Sequence, residues 1–430
     1  LENWKRRALW VVIGALMVLG LGSWWAYENV DAVHFRVLSL WVPIYDRLWP
    51  NPEMLPTPIR AANAPTLVLP TLTPLPSSTP FPTALPASTA ESTVIAPTAT
   101  QPPATATPIP ETFRLTGFRH EFQDFNNCGP TTLSIFLSYW GWQGTQFDIS
   151  DLLRPDKDDK NVGPREFQRY LDTQGFDSLT RVNGDVLLMR RLIAAGYPVM
   201  IEKGIRCVAT DKYCDGWLGH YSLLIGYEAE HSRFIIEDSF RGAGIKLTDE
   251  EILSNWRAFN YAYLIVFPKD GGHREKVLAL LGSAADETQN YREALARAQA
   301  EADASQWLDA GFAWFNAASS LVALGDYANA ALAYDQARDI GVPYRLAWYE
   351  FGPYQAYYEM GRYEDVIALA NSSIVTSHTG GVEEAYYWRG RAEEKLDQRD
   401  AAIKDYRAAL RGNAGFVTAR EALTALGETP

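Results

Sequence analysis

Hydrophobic and polar positions follow different rules in successive stretches of the chain, and each rule predicts a different kind of element. Lys5, Arg6 and Arg7 precede an uncharged, mostly apolar run from Ala8 to Tyr27. At about 1.5 Å per residue such a run spans a bilayer core of ~30 Å and predicts a transmembrane helix. Cations before it, with Glu28 and Asp31 after it, predict a cytoplasmic N-terminus and place everything that follows outside the cell membrane. Residues 1–29 are therefore read as a cytosolic tip and single-pass anchor. A cleaved signal peptide is the competing reading, although no small-x-small cleavage site follows the run cleanly. Residues 30–49 stay apolar and aromatic, with Phe35, Trp41 and Trp49, and suit a juxtamembrane segment lying along the surface.

From 50 to 112 the pattern collapses to Pro, Thr, Ala and Ser with almost no charge. No core can form from that composition, so the stretch reads as a disordered Pro/Thr-rich stalk, with a reach on the order of 150 Å if extended. Periodicity returns over residues 113–270. Helical spacing covers 130–140 and 185–195, and short β-type runs cover Pro198 to Ile201, His220 to Tyr227, Arg233 to Asp238 and Tyr261 to Phe267. That mixture predicts an α+β domain.

Residues 274–430 are helical throughout and repeat themselves. Leu324-Gly325-Asp326-Tyr327 matches Met360-Gly361-Arg362-Tyr363 and, more weakly, Leu396-Asp397-Gln398-Arg399, a period of 36 residues from Gly325 to Gly361. Ala313-Trp314-Phe315, Ala347-Trp348-Tyr349 and Ala385-Tyr386-Tyr387 are expected to open the first helix of each copy, and the glycines to sit where those helices pack tightly. The pattern resembles the tetratricopeptide repeat. That resemblance implies an all-α solenoid in which each unit packs on its neighbours and a concave face is left for a protein partner.

The formal charge of -13 argues against a nucleic-acid binder, since that surface repels phosphate and no local basic patch offsets it. Of the three cysteines, Cys207 and Cys214 flank a short polar loop and are a candidate disulfide in an oxidising compartment. Two unpaired thiols are the alternative.

Cys128 stands apart. The segment Gln123-Asp124-Phe125-Asn126-Asn127-Cys128-Gly129-Pro130 runs straight into an apolar-periodic helix, so the sulfur is expected at a helix N-terminus, where the dipole and free N–H groups favour thiolate. A thiol nucleophile needs a base, and the base needs an orienting acceptor. Gly219-His220-Tyr221 opens one predicted strand and Asp238 ends the next, and a hairpin centred on Ala229 sets His220 directly opposite Asp238. Gln123 stands five residues before the cysteine, where its amide can face an oxyanion beside the Cys128 N–H.

Gln123, the Asn-Cys-Gly-Pro run, the Gly-His-Tyr strand and the Asp238 strand together resemble the papain-like cysteine peptidases related to the bacteriocin double-glycine leader peptidases. The resemblance implies Cys128 as nucleophile, His220 as general base and acid, Asp238 as the acceptor that orients it, and Gln123 in the oxyanion hole. It implies peptide or protein substrates and no metal or organic cofactor. Taken singly, each residue has a bland reading as a buried thiol, a satisfied imidazole or a turn carboxylate. His120 is the local rival to His220. Acyl transfer to an amine through the same thiol, or a silent peptide-binding scaffold, are the other functions this sequence allows.

Overall fold

The computed structural model describes Ser23 and residues 53–59, 109–207, 216–378 and 381–430. Apart from Ser23, the expected anchor, the juxtamembrane segment and most of the expected stalk lie outside the described residues. Among the described residues no helix is long and apolar enough to cross a membrane.

The α+β domain is a seven-stranded antiparallel sheet with helices on both faces. Its main path runs β2 (Phe176–Arg181), β7 (Tyr263–Pro268), β3 (Val199–Arg206), β4 (Trp217–Glu228), β5 (Arg233–Asp238) and β6 (Gly242–Thr248), while β1 (Thr112–Arg114) pairs with the far end of β4. Alternation along the strands sorts the side chains into two cores. Met200, Leu223, Ile235 and Val266 pack under α1 (Cys128–Tyr139), α2 (Gln146–Leu153) and α3 (Phe167–Thr173). Ile201, Leu224, Ile236 and Ile265 pack under α4 (Val186–Ala194), α5 (Asp249–Trp256) and α6 (His273–Leu281).

The helices that follow are α7 (Glu287–Ala304), α8 (Trp307–Ala323), α9 (Tyr327–Ile340), α10 (Gly352–Glu359), α11 (Tyr363–Thr376), α12 (Glu383–Lys395), α13 (Arg399–Gly412) and α14 (Val417–Ala425). Two expectations about them need correction. Gly325 and Gly361 are not helix-packing points; they terminate helices in the left-handed conformation, with φ of +80° and +68°. The weak third copy keeps this geometry, because Asp397 takes φ 58° at the matching position and Asp tolerates that region better than most side chains. Ala347-Trp348-Tyr349 opens no α-helix either. It lies in and just after the 3-10 turn Tyr344–Trp348, and α10 starts afresh at Gly352 with Pro353 in its first turn, where the missing N–H would have no intrahelical acceptor anyway.

The repeats do not stand apart from the sheet domain. Phe259, Ala262 and Val182 share one buried cluster with Phe312, Phe315 and Trp348. Asn290 exchanges two hydrogen bonds with the Val182 backbone, at 3.0 and 2.9 Å. The stalk boundaries also shift. Residues 109–112 belong to the sheet domain, where Tyr227 donates to the Pro110 carbonyl and the Ala229 N–H to that of Glu111. Residues 53–59, expected to be disordered, lie against the repeats with Leu55 buried. A polar, proline-rich composition cannot build its own core, but it can dock on one supplied by other elements.

Candidate active site

Cys128 is the first residue of α1 and is half-buried. The turn before it is fixed by backbone and side chain together. Asn126 adopts φ 53°, and the Asn127 N–H closes on the Asp124 carbonyl at 3.1 Å. Gln146, buried at the start of α2, accepts at Oε1 from the Asp124 N–H, Asn127 Nδ2 and Thr131 Oγ1 at 2.8, 2.7 and 2.8 Å. A Cβ at Gly129 would stand 3.0 Å from the Phe167 ring, so a larger residue there needs that ring to give way. The first helical N–H groups have no intrahelical acceptor, which leaves the Cys128 amide available as a donor.

His220 and Asp238 meet, but not through the register expected. Leu223 pairs with Glu237 and Leu224 with Ile236, after which a bulge shifts the ladder so that Gly226 faces Ile235. The hairpin turns through a 3-10 segment at Ala229–His231 and a left-handed Ser232, so its centre lies beyond Ala229. Continued to the strand end, that register sets Ser222 opposite Asp238 and His220 two residues away. A two-residue offset keeps both side chains on one face, so the imidazole reaches the carboxylate diagonally. His220 Nε2 lies 3.0 Å from Asp238 Oδ1, and Ser222 Oγ donates to Oδ2 at 2.9 Å. The Phe240 and Arg241 N–H groups add bonds to Oδ1 of 3.1 and 3.0 Å.

Nothing local along the chain marks out Lys203. It pairs across the ladder with His220, is buried, and sets Nζ 3.4 Å from Asp238 Oδ2. Burial opposes ionisation of Asp238, but His220 and then Lys203 outweigh it and hold the carboxyl well below the usual carboxylate range. Burial likewise opposes the imidazolium of His220, yet the Asp238 charge and hydrogen bond, together with a hydrogen bond to Cys128, push it up to about 9. One ring therefore joins the thiol to the carboxylate.

Gln123 sits beside them. Its N–H donates to the Ser239 carbonyl at 2.9 Å, and its Oε1 accepts from Ser239 Oγ at 2.9 Å, which leaves the amide NH2 as the donor end. His120, the local rival, is instead bonded to Glu237 at 2.7 Å. The repeats reach the site as well: the Tyr349 ring packs over Gly219, where a Cβ would come within 3.0 Å of it. Cys207 is disulfide-bonded and Cys128 is free. Cys214, the remaining cysteine of the sequence, lies outside the described residues. Among the described residues no group of three or more His, Cys, Asp or Glu is arranged to hold a metal ion.

Residues 114–264 match the model of the Peptidase_C39 like family, and this stretch contains Gln123, Cys128, His220 and Asp238. Residues 383–411, which form α12 and most of α13, match the tetratricopeptide repeat. A crystal structure from Bacillus anthracis, described as a candidate C39-like peptidase, is similar over 38% of this chain and 100% of its own, at 14% sequence identity and a TM-score of 0.31. No curated protein matches the chain.

Proposed function

We propose that this chain, a C39-like peptidase domain fused to tetratricopeptide repeats, hydrolyses peptide bonds with Cys128 as nucleophile, His220 as base and acid, Asp238 as its orienting partner and Gln123 in the oxyanion hole. One observation carries the reading: a single imidazole bridges the half-buried thiol at a helix head and a carboxylate saturated with hydrogen bonds. Because Nε2 faces Asp238, Nδ1 is the ring atom left for sulfur. The thiolate attacks the scissile carbonyl, and the developing oxyanion takes hydrogen bonds from the Cys128 N–H and the Gln123 amide. The imidazolium then delivers its proton to the leaving amine, and a water activated by the same ring releases the acyl group. Asp238 keeps the ring in place through both steps.

In this reading the repeats recruit or present a protein partner, and the N-terminal apolar run holds the catalytic domain on the outer side of a membrane. Charge placement around Ala8 to Tyr27 supports that topology.

The test is covalent labelling of the full chain by a peptide carrying a thiol-reactive electrophile, located by mass spectrometry. Modification of Cys128 is expected, with none in Cys128→Ala and a drop of at least ~100-fold in rate for His220→Ala, the scale of a lost base. A folded wild-type chain that stays unlabelled rules out the peptidase reading. Added amine nucleophiles then separate hydrolysis from acyl transfer by the product formed.

A further inference from the structure

Residues Glu53–Ile59 are an extended peptide seated on the repeats, and the site beneath them is built for main-chain recognition. Met54 forms an antiparallel bridge with Pro343. The Leu55 N–H donates to the Val342 carbonyl at 2.9 Å, and the Tyr344 N–H to that of Glu53 at 3.3 Å. Leu55 itself is only 4% exposed and belongs to the buried cluster of the repeats.

Arg338, near the end of α9, is the main polar element of the site. Its side chain is 1% exposed. Nε donates to the Pro56 carbonyl at 2.7 Å, one terminal nitrogen to that of Thr57 at 3.0 Å, and the other to Asp365 Oδ1 at 2.8 Å. That same Asp365 oxygen accepts from the Ile59 N–H at 3.0 Å. A guanidinium is always charged and a buried one needs acceptors, so Arg338 is a donor set completed by the carbonyls of an incoming strand.

Hydrogen-bond polarity along the segment defines what fits. The site offers acceptors to the N–H groups of residues 55 and 59 and donors to the carbonyls of 53, 56 and 57. Positions 56 and 58 are prolines, which have no N–H to satisfy and hold the chain extended before it binds.

We propose that the repeats carry a binding site for an extended Leu-Pro-X-Pro peptide, formed by Arg338, Asp365 and the Val342–Tyr344 backbone, and that Glu53–Ile59 occupies it in cis as a clamp. Both flanks of residues 60–108 are then fixed to one body, at Ile59 on the repeats and at Pro110 on the sheet domain. An anchor ending near residue 29 would then reach that body through residues 30–52 alone, a span of roughly 75 Å at full extension. The proposal stands apart from the peptidase reading, since it involves none of the residues around Cys128.

Hydrogen exchange on the full chain in detergent tests it, with wild type compared to Leu55→Asp and a fluorescent peptide of sequence 53–59 as probe. In wild type the Leu55 and Ile59 amides should exchange at least ~10-fold more slowly than in the free peptide, and the probe should not bind, because a tethered ligand competes at an effective concentration near millimolar. In Leu55→Asp that protection should vanish. The emptied site should then bind the probe. Unprotected Leu55 and Ile59 amides in wild type overturn the clamp. A folded Leu55→Asp chain that does not bind the probe overturns the site.

Discussion

Replacing Lys203 by Met removes one charge from the catalytic face while keeping a side chain of similar length. At the 3.4 Å separation from Asp238 Oδ2, the gross attraction is about 5 kcal/mol for an effective dielectric near 20. Against this stands the cost of burying the ammonium itself, several kcal/mol, which Met does not incur. Asp238 also keeps His220, Ser222 and two backbone donors, so its charge is not stranded. The net loss of stability should be about 1–2 kcal/mol, and without the Lys203 charge the Asp238 pKa rises toward the usual carboxylate range.

The sign follows from the direction of the shift. Asp238 is depressed in the folded chain, so its contribution to stability is complete above its unfolded value and is lost as pH falls through its folded one. In Lys203→Met the folded value lies higher, so the loss starts at higher pH and totals less. Urea unfolding at neutral pH and a pH profile of kcat/KM measure both consequences. A lower midpoint and an acid limb moved to higher pH are expected. An acid limb that stays in place, with an unchanged midpoint, would refute the charge argument.

Further outcomes are expected from the oxyanion hole and from His220. Ser239→Ala frees Gln123 Oε1, and the loss of one orienting hydrogen bond should lower kcat by about tenfold with little change in KM; Gln123→Ala should cost ~100-fold or more, and steady-state kinetics showing wild-type kcat in Ser239→Ala would remove Ser239 from a positioning role. Activity should fall on the alkaline side as His220 loses its proton at about 9, because the leaving amine then lacks an acid. Since that value lies above an unfolded one near 6.5, the stabilisation from His220 is present in full below that lower value and fades as pH rises through the upper one, which unfolding midpoints across the range will check.

The four residues singled out around the site do come together, and the reason is that their signals are local. A helix N-terminus is written in Asn127-Cys128-Gly129-Pro130, and strand alternation around His220 and Asp238 fixes which face each side chain takes. The pairing partner was not local. A bulge at one position and a 3-10 turn moved the hairpin register by two residues, and contact survived because an even offset preserves the face. Gln146, Ser239 and Lys203 carried no readable signal. A polar residue in an alternating pattern looks the same whether it meets water or a buried carboxylate, and only its neighbours in space distinguish the two.

The repeats divide in the same way. Spacing alone located the corners at Gly325, Gly361 and Asp397, although their role as left-handed helix ends depends on backbone angles that the alphabet does not record. Composition alone assigned 50–112 to a stalk, because composition measures whether a segment can bury surface within itself. Whether Leu55 and the prolines after it are covered by Arg338 and Val342, hundreds of residues away, is decided by the folded surface they meet. Chain-local periodicity thus marked the nucleophile's helix, Val186–Ala194, four of the strands and the helical repeats but missed β1, β2, β6, α2, α3 and α5, while tertiary contact decided register, the charges that balance the site and the docking of residues 53–59, since those depend on distances between residues remote in sequence.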